Sequence, residues 1–144
     1  MSRTLVICKP DAVERGLVGD IISRFERKGL RLVAAELRHL DEGIAAEHYA
    51  EHQDRAFYGD LVKFITRSPA FVMVLEGPGA ETWRAVRALM GQTDPAQALP
   101  GTIRGDLGTV TTENLVHGSD SPEAAEREIS LFFPQLKRSW PPGI

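Results

Sequence analysis

The sequence has a single cysteine, Cys8, and no long hydrophobic run. One cysteine cannot form an internal disulfide, and its apolar neighbours predict a buried strand residue in a reducing compartment rather than a nucleophile. The longest uninterrupted apolar stretch, Ala70 to Leu75, has six residues, whereas a membrane-spanning helix needs about 20. After Arg3 the apolar run covers only residues 5–8 before Lys9, Pro10 and Asp11 end it, and this is too short for a secretory signal. We therefore expect a cytoplasmic protein with no membrane partner.

A surplus of positive charge is also missing. Seventeen basic and 20 acidic residues give a formal net charge of −3. Broad nucleic-acid binding relies on a strong basic surplus, so no specific nucleic-acid partner is expected, and any anionic ligand must be met by local basic residues. There is no G-x-x-x-x-G-K-[ST] loop, which excludes a P-loop site. The length and the 42% of hydrophobic residues predict one domain over residues 1–144, with a core at about 3–134 and a tail at 135–144.

Apolar patterning along the chain alternates between strand and helix periods. The predicted strands cover residues 4–9, 30–40, 70–76 and 115–117, and the predicted helices cover residues 17–28, 44–52, 58–67, 81–90 and 121–133. Asp41 and Ser121 are suited to cap the second and the last helix, and Leu37 is out of phase in its strand, which indicates a bulge. Residues 92–114 show little periodicity, and a stretch that long without structure is usually functional. The order of elements predicts a ferredoxin-like α+β sandwich, an antiparallel sheet covered by helices, with a helical hairpin insert and a long active-site loop.

Four histidines are the first candidates for chemistry. His39 lies among charged residues and is expected at the surface or at a sheet edge. Residues 48–52 read H-Y-A-E-H, and this H-x-x-E-H pattern can place His48 and His52 one helical turn apart as metal ligands; no third ligand stands out, and so short a pattern arises easily by chance. His117 ends a predicted strand just before a helix N-terminus, whose unpaired N–H groups favour a phosphate. A histidine there can carry a phosphoryl group as a nucleophile, although a lone histidine at a strand end is more often structural.

Basic residues around the long loop bear on the same question. Lys9 closes the first strand, Arg87 lies in the helix that enters the loop, and Thr93 and Arg104 lie within it. Scattered cations match the electrostatic clamp that phosphoryl transfer needs, since the charge on the moving group must be neutralised. Unrelated, solvated surface charges would have the same composition. These residues alone therefore leave both interpretations open, a phosphate clamp and a set of surface charges.

Residues 114–121 read N-L-V-H-G-S-D-S and closely resemble the signature N-x-x-H-G-S-D-S of the nucleoside diphosphate kinase family, in which the histidine is the phosphorylated nucleophile. Five further blocks resemble that family in the same order: Lys9–Asp11, Arg15–Gly19, Arg24–Phe25, His48–Tyr49 and Pro100–Asp106. The resemblance covers residues 3 to about 134. It implies an enzyme that moves the γ-phosphate of a nucleoside triphosphate to a nucleoside diphosphate through a phosphohistidine at His117. It also implies Mg²⁺ carried on the nucleotide phosphates, without a protein metal site, and a homo-oligomer that is a hexamer or a tetramer.

The resemblance implies roles for individual residues. The residues implied to line the nucleotide site are Lys9, Tyr49, Phe57, Arg87, Thr93, Arg104 and Asn114. In the family, the arginines and the threonine hold phosphates, the lysine and the asparagine hold ribose hydroxyls, and the phenylalanine stacks on the base. Glu128 matches the glutamate that accepts a hydrogen bond from the other ring nitrogen of the nucleophile, and Ser119 steadies that carboxylate. Lys9 and Tyr49 complete the expected catalytic set.

Four positions depart from common family patterns. Ala56 replaces a proline, so the loop that holds Phe57 is expected to be less rigid. Asp94 replaces a frequent asparagine, Thr111 an apolar residue opposite the base, and Glu113 a frequently basic residue. None of these changes removes a chemical group of the site, so their effect is expected on affinity rather than on activity.

Two classes of protein remain as alternatives. The first is a nucleotide or phosphohistidine sensor on the same scaffold, without catalysis. A lapsed enzyme would usually have lost part of the functional set, yet Lys9, Arg104, His117 and Glu128 are all present. The second is an RNA-binding α+β module, whose strands would display stacking aromatic residues; residues 5–8 have none, and Phe71 is the only one in its strand.

Overall fold

The computed structural model describes residues 1–136, which form a four-stranded antiparallel sheet in the order β2–β3–β1–β4. In chain order the elements are β1 (Ser2–Cys8), α1 (Pro10–Glu14), α2 (Val18–Arg27), β2 (Arg31–Arg38), α3 (Glu42–His48), a 3₁₀ turn (Ala50–His52), α4 (Tyr58–Thr66), β3 (Ala70–Gly77), α5 (Thr82–Met90), α6 (Ile103–Leu107), β4 (Val116–Gly118) and α7 (Pro122–Phe132). This is the predicted ferredoxin-like α+β arrangement. Among the residues described, no helix is long and apolar enough to cross a membrane.

The two central strands are buried on both faces, and successive side chains serve two separate cores. In β1, Leu5 points into a core formed with α3, α4 and α7, whereas Val6 points into a core formed with α2 and α5. This division follows from the two-residue period of a strand. Because helices cover both faces, β1 and β3 are continuous apolar runs rather than alternating ones. The predicted buried position of Cys8 is confirmed, since its side chain is fully buried in the second core.

Both predicted helix caps are confirmed. The carboxylate of Asp41 accepts a hydrogen bond from the N–H of Ile44 at 2.8 Å, and the hydroxyl of Ser121 accepts one from the N–H of Ala124 at 3.0 Å. The predicted bulge in β2 is also present, but its pairing with β3 shifts directly after Leu32 rather than near Leu37. The prediction placed the bulge wrongly because it assumed that Leu37 faces the core. The side chain of Leu37 is in fact 58% exposed on this edge strand, so its position in the apolar pattern says nothing about the register.

The sequence interpretation missed two short helices. Pro10 ends β1 as predicted, but it also opens α1, since its fixed φ suits a first helical turn. The stretch 92–114 contains α6 and an isolated bridge, so its prediction as one loop without structure is wrong. A glycine is required at position 105 in α6, because a Cβ there would lie 2.0 Å from the carbonyl oxygen of Leu99. The helix predicted to reach His52 instead ends at His48 and continues as a 3₁₀ turn.

The short strand β4 determines where the histidine motif lies. It pairs with β1 at the sheet edge, with His117 opposite Ile7 and Gly118 opposite Val6. The chain then turns directly into α7, which returns across the sheet. Lys9 follows β1 at the same end of the sheet, and its N–H donates to the carbonyl of Leu115 at 2.8 Å. The topology therefore brings residues near 9, 115 and 128 together. The predicted tail lies outside the described residues from position 137 onward.

Candidate active site

His117 lies at the centre of a short hydrogen-bond chain. Its Nε2 is 3.0 Å from Oε1 of Glu128, and the same oxygen accepts a hydrogen bond from the hydroxyl of Ser119 at 2.7 Å. The carboxylate is buried with 6% of its side chain exposed, whereas 25% of the imidazole is exposed. The imidazole is therefore fixed from the protein side and open on the other side. His117, Glu128 and Ser119 thus lie within hydrogen-bonding distance of one another, as the family resemblance implies.

The protonation of Glu128 decides which nitrogen of His117 is free. Burial raises the pKa of this carboxyl, but the hydrogen bond and charge of His117, with the hydrogen bond of Ser119, outweigh burial and leave the pKa below its ordinary value. An ionised carboxylate only accepts hydrogen bonds, so Nε2 of His117 carries the proton that it donates. The lone pair of the neutral ring is then on Nδ1, and no hydrogen bond to Nδ1 is found within residues 1–136.

His48 packs behind His117, a contact that the sequence interpretation missed. The two ring centroids are 4.6 Å apart and edge to face, and the Tyr49 ring lies 4.7 Å from that of His48. Burial and the charge of His117 lower the pKa of His48 to about 3, so its ring is neutral near pH 7. Burial and the charge of Glu128 raise the pKa of Tyr49 to about 12, which keeps its phenol protonated. The sequence does carry a signal for it, because His48 precedes Tyr49 in a block that resembles the family.

Lys9, Asn114 and Thr93 form a second chain of contacts. The Nζ of Lys9 donates to Oδ1 of Asn114 at 2.8 Å, and Nδ2 of Asn114 donates to the carbonyl of Thr93 at 3.0 Å. The Thr93 side chain is exposed, so its hydroxyl is open to solvent. Burial and the nearby charge of Arg104 lower the pKa of Lys9 to about 8, despite the opposing charge of Asp11.

Arg104 is a buried cation held by backbone carbonyls. Its side chain donates to the carbonyl of Asn114 at 3.1 Å, of Gly91 at 3.0 Å and of Val116 at 2.7 Å. Burial and the charge of Arg87 lower the pKa of Arg104 to about 10, which leaves it charged at neutral pH. Arg87 is itself tied to the motif strand, because its Nη1 donates to the carbonyl of Gly118 at 3.1 Å.

Phe57 lies at the outer end of a row of rings. Its centroid is 5.8 Å from that of His52, which is 6.4 Å from that of Tyr49. The row continues through His48 to His117. Phe57 is 46% exposed and precedes α4 directly. Its ring is therefore accessible at the edge of the site.

The H-x-x-E-H pattern does not form the metal site considered from the sequence. α3 ends at His48, so His52 is not one α-helical turn further along the same face. Among the residues described, the one group with metal-ligand spacing is His48, His117 and Glu128, whose ligand atoms lie within 4.8 Å of one another. Two imidazoles do not suit Mg²⁺, which prefers oxygen ligands.

The four departures from the family pattern lie mostly at the surface. Ala56, Thr111 and Glu113 are exposed. Glu113 accepts a hydrogen bond from Arg67 at 2.8 Å, and Arg67 also pairs with Glu14. Asp94 is half-buried and accepts a hydrogen bond from the N–H of Ala96 at 3.0 Å. None of these contacts enters the network around His117.

The fold and this geometry define a class: an imidazole with one nitrogen fixed and the other open, beside three basic side chains, is typical of a phosphotransferase with a histidine nucleophile. The nucleoside diphosphate kinase profile matches residues 2–137. The chain is 60% identical over 135 residues to a nucleoside diphosphate kinase of Rhodococcus erythropolis, covering 93% of this chain and 96% of that one. It is 58% identical over 136 residues to one of Corynebacterium diphtheriae, covering 93% and 98%.

Solved structures agree with these relatives. A halophilic nucleoside diphosphate kinase from Halobacterium salinarum, in complex with CDP, is 54% identical with a TM-score of 0.87, covering 92% of this chain and 87% of that one. A family protein from Babesia bovis is 46% identical with a TM-score of 0.91, covering 99% and 96%. The chain belongs to the nucleoside diphosphate kinase family, and its function is the phosphoryl transfer for which that family is named.

Proposed function

We propose that the protein moves the γ-phosphate of a nucleoside triphosphate to a nucleoside diphosphate in two steps through Nδ1 of His117. In the first step, the Nδ1 lone pair forms a bond to the γ-phosphorus while the bond from that phosphorus to the β–γ bridging oxygen breaks. The diphosphate leaves with this oxygen and its electron pair. In the second step, a terminal oxygen of another diphosphate attacks the phosphorus, and Nδ1 recovers its lone pair. The observation that carries this proposal is the pairing of Nε2 with Glu128, which leaves Nδ1 free.

Glu128 and Ser119 act on the nucleophile rather than on the nucleotide. When Nδ1 bonds to phosphorus, the ring gains positive charge while Nε2 keeps its proton. The ionised carboxylate stabilises that charge, and the Ser119 hydroxyl holds the carboxylate oxygen in place. Tyr49 keeps its proton at neutral pH. Its ring packs against His48, which in turn packs against His117.

The basic residues neutralise the phosphates. A guanidinium has five N–H donors, and Arg104 uses three on carbonyls, which leaves two for a phosphate. Arg87 and the Thr93 hydroxyl would hold the outer phosphates. Lys9 and Asn114, already joined at 2.8 Å, would hold the ribose hydroxyls. The exposed ring of Phe57 would stack on the base without contacting its hydrogen-bonding edge.

Mg²⁺ would bind through the nucleotide. The carboxylate beside His117 is occupied by two hydrogen bonds on one oxygen, and the other charged side chains assigned to the site are the cations Lys9, Arg87 and Arg104. Such a set suits a metal that is held by phosphate oxygens and water, because Mg²⁺ keeps much of its hydration. When bound, the ion neutralises charge on the phosphates. Lys9, Arg87 and Arg104 would attract the phosphates that bring it.

We propose that residues 1–144 form one domain of this family and that several copies assemble into a hexamer or a tetramer. We also propose that the enzyme works in the cytoplasm on free nucleoside tri- and diphosphates.

A labelling experiment tests the proposed mechanism. The protein is incubated with Mg²⁺ and γ-labelled ATP without an acceptor and is then isolated. Label on His117 should survive alkali, be lost in acid, and be discharged as triphosphate when a nucleoside diphosphate is added. His117→Ala should take up no label and transfer none while still binding nucleotide. His39→Ala is the matched control and should behave as wild type.

Three results would contradict the proposal. Wild-type protein that binds nucleotide but takes up no label would indicate a sensor. Label that is stable in acid would indicate a phosphoserine, for example at Ser119 or Ser121. Transfer by His117→Ala would exclude His117 as the nucleophile.

A further inference from the structure

Asp11 lies in α1, outside the set of residues that the motifs assign to the site. Its side chain is 2% exposed, and its Oδ2 accepts a hydrogen bond from the N–H of Leu115 at 3.0 Å. Its other oxygen, Oδ1, is buried and has no hydrogen-bond partner within residues 1–136. A buried carboxylate with an unpaired oxygen is costly. Stability alone therefore does not favour Asp11 at this position.

The residue that Asp11 contacts has an unusual backbone. Within the described part of the chain, Leu115 is the one non-glycine residue with a positive φ, at 74°. This left-handed conformation is unfavourable for leucine and persists only where the surroundings impose it. The backbone N–H and the backbone carbonyl of Leu115 both form hydrogen bonds with the segment 9–11. Asp11 binds the Leu115 N–H, and the N–H of Lys9 donates to the Leu115 carbonyl at 2.8 Å.

Leu115 is the point where the chain turns between two parts of the site. The N–H of Val116 donates to the carbonyl of Asn114 at 2.8 Å, which closes a tight turn around Leu115. On one side of the turn, the Asn114 side chain reaches Lys9. On the other side, β4 carries His117. The backbone angle at Leu115 therefore sets the position of Asn114 relative to His117.

We propose that Asp11 is a positioning residue for phosphoryl transfer, which acts by holding the Leu115 N–H and so keeping the turn that joins Asn114 to His117. This inference rests on the proposed function, because it assumes that both residues face one nucleotide. The acceptor oxygen is the essential feature of Asp11 in this role. An amide oxygen at the same place therefore serves equally well.

Two substitutions at position 11 separate the acceptor from the rest of the side chain. Asp11→Asn keeps an oxygen with the same reach but removes the charge that raises the pKa of Lys9. Its kcat and KM should therefore stay within a few-fold of wild type when they are measured below pH 7, where Lys9 is protonated. Asp11→Ala removes the acceptor and should lower kcat on the order of 10- to 100-fold, since small misplacements of reacting groups have effects of this size. Where the alanine variant does not fold, Asp11→Ser replaces it, because a serine hydroxyl is one bond too short.

Phe25→Leu is the matched control for lost stability. Phe25 is fully buried in the same core as Ala12 of α1, and its ring takes no part in the ring contacts that join Tyr49, His48 and His117. It should lower the melting temperature without lowering kcat. A second readout follows the contact itself: hydrogen exchange at the Leu115 amide should be faster in Asp11→Ala or Asp11→Ser than in Asp11→Asn or wild type.

The outcomes distinguish this inference from the proposed function. Wild-type protein that takes up no label contradicts the proposed function, whatever the variants do. Wild-type protein that labels while Asp11→Ala or Asp11→Ser keeps full kcat overturns the role of Asp11. Equal losses in Asp11→Asn and Asp11→Ala overturn the claim that an acceptor oxygen suffices. Selective loss in Asp11→Ala, with faster exchange at Leu115, supports it.

Discussion

The phosphate side of the site and the base side are held very differently. On the phosphate side, Arg104 is buried and is fixed by three hydrogen bonds to backbone carbonyls. Asn114, the proposed ribose ligand beside it, is also buried and is fixed by hydrogen bonds to Lys9 and to the carbonyl of Thr93. On the base side, Phe57 is 46% exposed, and the ring contact found for it among the described residues is with His52.

This difference follows the chemistry of the proposed reaction. Preorganised donors lower a barrier only where charge moves, and here charge moves at the phosphates and the imidazole. A base needs no such precision if it is only stacked, since every base has a π face. We therefore expect substitutions on the phosphate side to reduce the rate of transfer strongly. Substitutions on the base side should weaken the binding of all nucleotides slightly and to a similar extent.

Arg104→Ala should have the largest effect. It removes a phosphate donor and leaves three backbone carbonyls without their partner, so both kcat/KM and stability should fall. We expect kcat/KM to decrease by about 10²- to 10³-fold, the range for one lost transition-state donor. Steady-state rates and thermal unfolding measure the two losses. Arg84→Ala, an exposed arginine of α5, is the control. A loss no greater than that of Arg84→Ala would remove Arg104 from the clamp.

Glu128→Gln should have the next largest effect. The amide can still accept from Nε2 of His117, but it lacks the charge that stabilises the phosphorylated ring. We expect kcat to fall on the order of 10- to 100-fold, as for other lost partners of a functional histidine. Nucleotide affinity, measured by calorimetry, should be nearly unchanged because Glu128 does not contact the ligand. Unchanged kcat would exclude the proposed role of Glu128.

The pH dependence of kcat/KM tests Lys9. Burial and Arg104 lower the pKa of this ammonium group to about 8, so the free enzyme loses the cation as the pH rises through 8. kcat/KM should fall above that pH by at most about tenfold per unit, because one proton is lost. Lys9→Met should be less active at pH 7, and the decrease centred near pH 8 should be absent. An unchanged profile in Lys9→Met would assign the decrease to another group.

Phe57→Ala should have the smallest effect. Loss of a stacking ring costs about 1–3 kcal/mol per base, and an exposed ring is expected near the lower end. KM should therefore rise several-fold for ATP, GTP, CTP and UTP alike, with kcat largely kept. The four nucleotides serve as controls for one another. In the wild-type enzyme, a difference in kcat/KM among the four nucleotides of more than about a thousandfold, roughly 4 kcal/mol, would indicate that the hydrogen-bonding edge of the base is recognised. That result would contradict the contrast between the two sides of the site.

Local patterns predicted much of the fold because the causes were local. The period of β1 and the capping residues Asp41 and Ser121 act within a few positions. α1 and α6 were missed because each has five residues, too few for a helical period to show. For the site, a motif resemblance predicted residues that the structure brings together. His48 and Asp11 both lie in blocks that resemble the family, but their contacts with His117 and Leu115 were missed, because these partners are distant in sequence and no local pattern encodes such contacts.

The central claim is that Glu128 holds Nε2 of His117 and leaves Nδ1 to carry the phosphoryl group. The most direct test is phosphorus–nitrogen correlation NMR on the phosphorylated protein with ¹⁵N-labelled histidine, recorded at alkaline pH where the bond survives. We predict coupling of the phosphorus to Nδ1 of His117, with the proton still on Nε2. Coupling to Nε2, or phosphorus bonded to any other residue, would contradict this account of the site.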